Sequence, residues 1–190
     1  MTTQPAASFD LAEELITTLR QEFAAERLVD QLQQALAGAS PPQQARAAQR
    51  FFTQWGRRWM GRTLELGERH TDRPYELLKS VVQRTGGYLA FPLLAERFIE
   101  IAYLSTQPVY AIPIVENGAR ALVFKVPACN YHKAIQEKMG QAMAGMLFCR
   151  YGCVSACETA FRHFDIAVNV QQDATLPKEG FCQFSIRRAA

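Results

Sequence analysis

No stretch of the 190-residue chain approaches the roughly 18 consecutive apolar residues that a membrane-crossing helix needs, so a helical transmembrane span is not expected. The opening segment MTTQPAASFD lacks a basic stretch followed by an apolar one, which argues against a secretory leader and sets the expectation of a cytoplasmic protein. There is no internal repeat and no Gly/Ser-rich linker. The net charge is only +3, with Arg and Lys spread among acids rather than clustered, so no nucleic-acid footprint is evident. Charged residues make up 21% and apolar ones 48%, the composition of an ordinary globular protein and not of a disordered one. No two cysteines have the two-residue separation of a zinc ribbon, and their number, five, is odd. In a reducing compartment they are expected as free thiols, buried or reactive.

Those five cysteines, Cys129, Cys149, Cys153, Cys157 and Cys182, all lie between Val123 and Ile186. Successive steps of four residues advance about 40° past a full helical turn. Cys149, Cys153 and Cys157 therefore share one side of any helix that carries them. Cys129 follows a strand-like run and precedes a helix-like one, and Cys182 follows a turn.

From the N-terminus, Ser8 or Asp10 can cap a first helix whose apolar stripe runs from Leu11 through Leu15, Leu19, Phe23, Leu28 and Leu32 to Leu36. That stripe serves either the protein's own core or a partner chain, so a homo-oligomer is an open possibility. Pro41 and Pro42 suit the first turn of a second helix with Ala48, Phe52, Trp55, Trp59 and Leu66 on one face. Gly56 and Gly61 interrupt its propensity, which makes sense where another backbone packs closely or a ligand needs room. Arg57, Arg58 and Arg62 beside the tryptophans either bind an anion or form a solvated face. Pro74 opens a third helix that Gly86 and Gly87 stop, and FPLLAERFIEIAYL continues in helical period.

Beyond about Thr106 the pattern changes. PVYAIPIV and ARALVFKV flank Asn117-Gly118, a strong hairpin signal, and Pro113 belongs on an edge strand or at a bulge. A short helix YHKAIQEKM ends at Gly140, a long helix is expected from AMAGMLFC to FRHF, and two strands follow, joined around PKEG. The expectation is a single α+β domain over 1–190. A helical part, 8–106, packs with a cysteine-bearing part, 107–190, of about four antiparallel strands and two helices.

FKVPACNYHKAIQEKMG, LFC and VNVQQDATLPKEGFCQFSI together resemble the C-terminal pattern of the L-2-amino-thiazoline-4-carboxylic acid hydrolase family, with Cys129, Cys149 and Cys182 at its three cysteine places. Where members often carry an aspartate after the second cysteine, this chain has Arg150, Tyr151, Gly152 and Cys153. Ala174-Thr175 stands for an arginine-threonine pair, and Gln183 for a common acid. The resemblance implies opening of a cyclic amidine-like thiazoline by a cysteine-lined pocket. The ending is also similar to the vinyl-reductase-like small-molecule-binding domains, which implies a non-enzymatic module holding a small molecule or a metal.

For ring opening, Cys129 is the preferred nucleophile because a helix N-terminus just after it would lower its pKa, with His132 one turn on as base. Cys149 and Cys182 are alternative nucleophiles. Arg57, Arg62, Trp59 and Glu158 are candidate substrate-binding residues. Each cysteine has a plainer reading as a small packed hydrophobe, strongest for Cys153 and Cys157. No metal site and no resident cofactor is expected, although Cys149 and Cys153 with a distant Cys129, Cys182 or His163 could converge on zinc or an iron–sulfur cluster. His70 and His163 read as exposed or capping rather than catalytic, and Asp165 and Asp173, which flank the penultimate strand, are marked only by position and could equally be turn formers.

Overall fold

The computed structural model describes residues 13–70 and 73–189. Ser8, Asp10 and Leu11, the expected start of the first helix, lie outside them. Among the described residues the chain is α+β, mostly helical, with one four-stranded sheet. The expected first stripe is split between two helices, α1 (Glu13–Glu22) and α2 (Ala25–Leu36), because Ala24 takes extended backbone (ψ 145°). Leu15, Leu19, Phe23, Leu28, Leu32 and Leu36 are all buried in the protein's own core, so the stripe is not a free surface for a partner. At about 1.5–3 kcal/mol for each large side chain withdrawn from water, this stripe is a main anchor of the N-terminal layer.

Helix α3 (Pro41–Gly67) begins as Pro41 and Pro42 foretell, with Gln43 Oε1 accepting from the Ser40 backbone N–H at 2.9 Å. Its face of Ala48, Phe52, Trp55, Trp59 and Leu66 is buried. Helix α4 (Arg73–Thr85) stops at Gly86, whose φ of +85° is left-handed backbone that glycine adopts without steric cost. A short 3₁₀ turn, Gly87–Ala90, leads into α5 (Leu93–Thr106), the central helix, with ten buried residues.

Strand β1 (Ile114–Asn117) is shorter than the apolar run PVYAIPIV suggests, and Tyr110 within that run is fully exposed. Pro113 sits just outside it, at the edge of the sheet, where its missing N–H costs no ladder bond. The sheet order is β1-β2-β4-β3, all antiparallel, with β2 (Ala121–Val126), β3 (Val168–Ala174) and β4 (Cys182–Arg188). Phe124 and Phe184 face each other across β2 and β4, and their rings stack at 5.5 Å. Helix α6 (Asn130–Met139) ends at Gly140. The expected long helix is broken instead: α7 (Gln141–Gly145) stops, Leu147 takes φ +54°, and α8 (Arg150–His163) starts anew. A single turn, α9 (Leu176–Glu179), fills the PKEG connection and ends on the left-handed Gly180.

Helices α3 and α8 cross where Gly56 meets Gly152. A Cβ at Gly56 would overlap the Gly152 carbonyl oxygen and the Ser155 hydroxyl, so glycine is what admits the close approach. Gly61, by contrast, faces open space. At the other end of the seam Glu68 gathers Tyr75, Lys79 and His163 at 2.9, 3.2 and 3.0 Å and ties α3, α4 and α8 together.

Candidate functional site

The two-residue step Pro127-Ala128 carries the chain from β2 to Cys129, whose extended backbone makes it the N-cap of α6. Its sulfur accepts from the His132 backbone N–H at 3.4 Å. The start of α6 is pinned to the end of α5 by Gln107 Oε1, which accepts from the Asn130 N–H at 2.9 Å, and by the Thr106 carbonyl, which accepts from Asn130 Nδ2. Cys182 opens β4 directly opposite Val126 in register, so β2 and β4 bring Cys129 and Cys182 to the same end of the sheet. The break at Leu147 makes Cys149 the N-cap of α8, with Cys153 one turn further on.

Four thiols come within electrostatic range of one another. Cys129, Cys149, Cys153 and Cys182 are near enough that charge on one raises the pKa of others, and all four are half-buried free thiols. Cys157, on the same side of α8 but deeper, is fully buried and feels Glu158 instead. Burial is the leading cause at every one of them. It pushes Cys129 up to about 11, against the two backbone N–H groups that favour its thiolate, and Cys157 up to about 12. Burial also raises Cys149, Cys153 and Cys182, with neighbouring thiols adding to the first two. The Leu176 backbone and the Gln172 amide only partly offset it at Cys182. The helix N-terminus after Cys129 is therefore present as expected, but desolvation outweighs it.

His132 is buried, its pKa is lowered by that burial, and its imidazole makes no hydrogen bond among the described residues. Its backbone, not its ring, is what meets Cys129. Arg62 is held by Glu22 at 3.0 Å and Glu65 at 2.8 Å, bonds that raise its pKa. Arg57 lines an open groove with Gln31 and Gln34 of α2. Glu158 lies on α8 in a surface groove with Arg162 and Asp165. None of these three groups belongs to the thiol cluster. Trp59 does border it, through Tyr103 and Tyr131, whose rings it meets edge-on at 5.1 and 5.8 Å.

Sequence reasoning missed the polar atoms of this aromatic wall. Trp55 Nε1, Trp59 Nε1, Tyr103 OH and Ser105 Oγ are buried and make no hydrogen bond, although such groups are satisfied in the great majority of folds. The Tyr103 hydroxyl lies against the Cys153 thiol without closing a bond of good geometry, and burial first, then the nearby thiols, raises its pKa. Tyr131 is satisfied, donating to the Phe23 carbonyl at 3.0 Å. Nothing in the apolar run FIEIAYLS marks Tyr103 or Ser105 in advance. Among the described residues no three His, Cys, Asp or Glu side chains are grouped so as to hold a metal ion. Nor is any helix among them long and apolar enough to cross a membrane.

No family model matches the chain, and no curated protein does. Among solved structures, an oxygen-binding H-NOX domain related to soluble guanylate cyclases is 12% identical over 93% of this chain and 92% of its own, with a TM-score of 0.33. A point mutant of the T. tengcongensis H-NOX is 11% identical over 96% of this chain and 95% of its own, with a TM-score of 0.29. Likeness at that level carries no argument about fold or function.

Proposed function

We propose that the protein is a small-molecule-binding module whose ligand is held among Cys129, Cys149, Cys153 and Cys182, against the Trp59–Tyr103 wall. One observation carries this reading: the half-buried free thiols of Cys129, Cys149, Cys153 and Cys182 lie beside the Tyr103 hydroxyl, one of several buried polar groups that close no hydrogen bond. A ligand with an apolar body and one or two acceptor atoms suits both, since protonated thiols are soft, polarisable walls and unpartnered donors favour an acceptor. Opening a thiazoline carboxylate would draw on opposite properties, a thiolate, a base and a cation for the carboxylate. At neutral pH a thiol with a pKa of about 11 is ionised in roughly one molecule in ten thousand.

Two measurements test the reading. Small aromatic ketones should quench tryptophan emission saturably, and Cys153→Phe, which adds bulk among the thiols, should abolish the response. With L-2-amino-thiazoline-4-carboxylate, no turnover above that of Cys129→Ser, Cys149→Ser and Cys182→Ser variants is expected. Turnover that one of these folded variants loses would establish the hydrolase reading in its place.

A further inference from the structure

Along the exposed face of α3, two adjoining grooves of about 690 and 400 Å³ share Gln54 and Arg57. Arg58 lines the first and Arg46 and Arg50 the second, so four guanidinium groups border the pair and no carboxylate does. Among the described residues Arg46, Arg50 and Arg57 make no ion pair or hydrogen bond. Arg58 is oriented by Gln31, 3.2 Å away, and by the face of Trp55 at 5.3 Å. Half-buried Phe51 lines the first groove and stacks on Trp55. From Arg46 to Arg57 the helix rises about 16 Å, further than one phosphate can bridge.

We propose that this face of α3 binds a small molecule carrying two or more phosphate groups, independently of the thiol site. Arginine presents its donors in a planar fork that matches phosphate oxygens, and unpaired guanidinium groups need break no ion pair to receive them. Gln31 and Gln54 offer amide donors and acceptors, and Phe51 apolar contact, to the remainder of the molecule. The charge is confined to one stretch of one helix in a chain of net charge +3, which fits a compact polyanion better than a nucleic acid that spans a wider face.

The test is calorimetric titration of the full chain at low salt with inorganic tripolyphosphate and adenosine triphosphate, with inorganic phosphate and a short DNA duplex as comparisons. Saturable binding of both polyphosphates is expected. It should be weakened at least about tenfold by the double substitution Arg50→Gln/Arg57→Gln and reduced by added salt, with Lys133→Gln leaving it unchanged. Thermal unfolding checks that the double variant is folded, and if it is not, the single variants Arg46→Gln and Arg57→Gln decide. The proposal is overturned if wild type binds neither polyphosphate, if the folded variants bind as wild type does, or if the duplex binds more tightly than tripolyphosphate.

Discussion

Where α3 and α8 cross, backbone lies on backbone at Gly56 and Gly152, and the buried Ser155 hydroxyl there donates to the Thr53 carbonyl at 3.0 Å. At the start of the same helix, Cys149 and Cys153 are only half-buried, and the nearby Tyr103 hydroxyl closes no bond. Ser155 and Ser105 are buried to a similar degree, 3% and 2% exposed, yet the first is satisfied and the second is not. A lone buried polar group costs about 1–3 kcal/mol. The fold completes its bonding where α8 packs on α3 and leaves buried polar groups open on α5, beside the thiols of the same first turns of α8.

Substitution at the joint should give the largest effect. Gly56→Ala forces a Cβ into the Gly152 carbonyl and should cost about 3 kcal/mol or more in urea unfolding, because a helix backbone must move. Gly61→Ala on the same helix meets nothing and should be neutral or stabilising by up to about 1 kcal/mol. Equal effects at the two glycines would break the comparison. Next in size, Cys157→Ser puts a hydroxyl into a fully buried site and should cost about 1–3 kcal/mol, whereas Cys149→Ser, half-buried, should cost less than about 1 kcal/mol.

Two pH limbs sharpen the contrast further. The thiols' folded pKa values are raised above their ordinary value near 9, so the stability they contribute is fully present below pH 9. It is lost as the pH rises through about 11 at Cys129 and about 12 at Cys157. Cys129→Ala should blunt this alkaline loss. At Glu68 burial pushes the pKa up, but hydrogen bonds from His163, Tyr75 and Lys79 outweigh it and hold the carboxyl at about 2. The sign is therefore opposite: its contribution is present above its ordinary value of 4.5 and disappears as the pH falls towards 2. Glu68→Gln should flatten the acid limb of a thermal-melt profile and leave the alkaline limb alone.

Much of the fold is legible in local sequence chemistry. Pro41 and Pro42 start α3, Gly86 and Gly140 stop helices on left-handed backbone, and Asn117-Gly118 joins the first hairpin. The break at Leu147 is not, because a non-glycine residue at positive φ has no local signature and only tertiary packing sustains it. At the site, the spacing of Cys149 and Cys153 marks a shared face, and the strand and turn patterns around Cys129 and Cys182 allow them to converge. Protonation state is another matter. The N-cap position of Cys129 suggests a lowered pKa, whereas burial, set by contacts far apart in the chain, raises it. The same holds for Arg62, whose ion pair with Glu22 joins residues forty positions apart.

On the proposed reading, the thiols line a ligand site without acting as nucleophiles. The rate of alkylation of each cysteine by iodoacetamide as a function of pH, read by mass spectrometry, tests that most directly. The prediction is slow labelling of Cys129, Cys149, Cys153 and Cys182 at neutral pH, rising only above about pH 9, with Cys157 labelled only on unfolding. One thiol that reacts rapidly at neutral pH, with a midpoint below the ordinary value, would contradict the account and name the nucleophile.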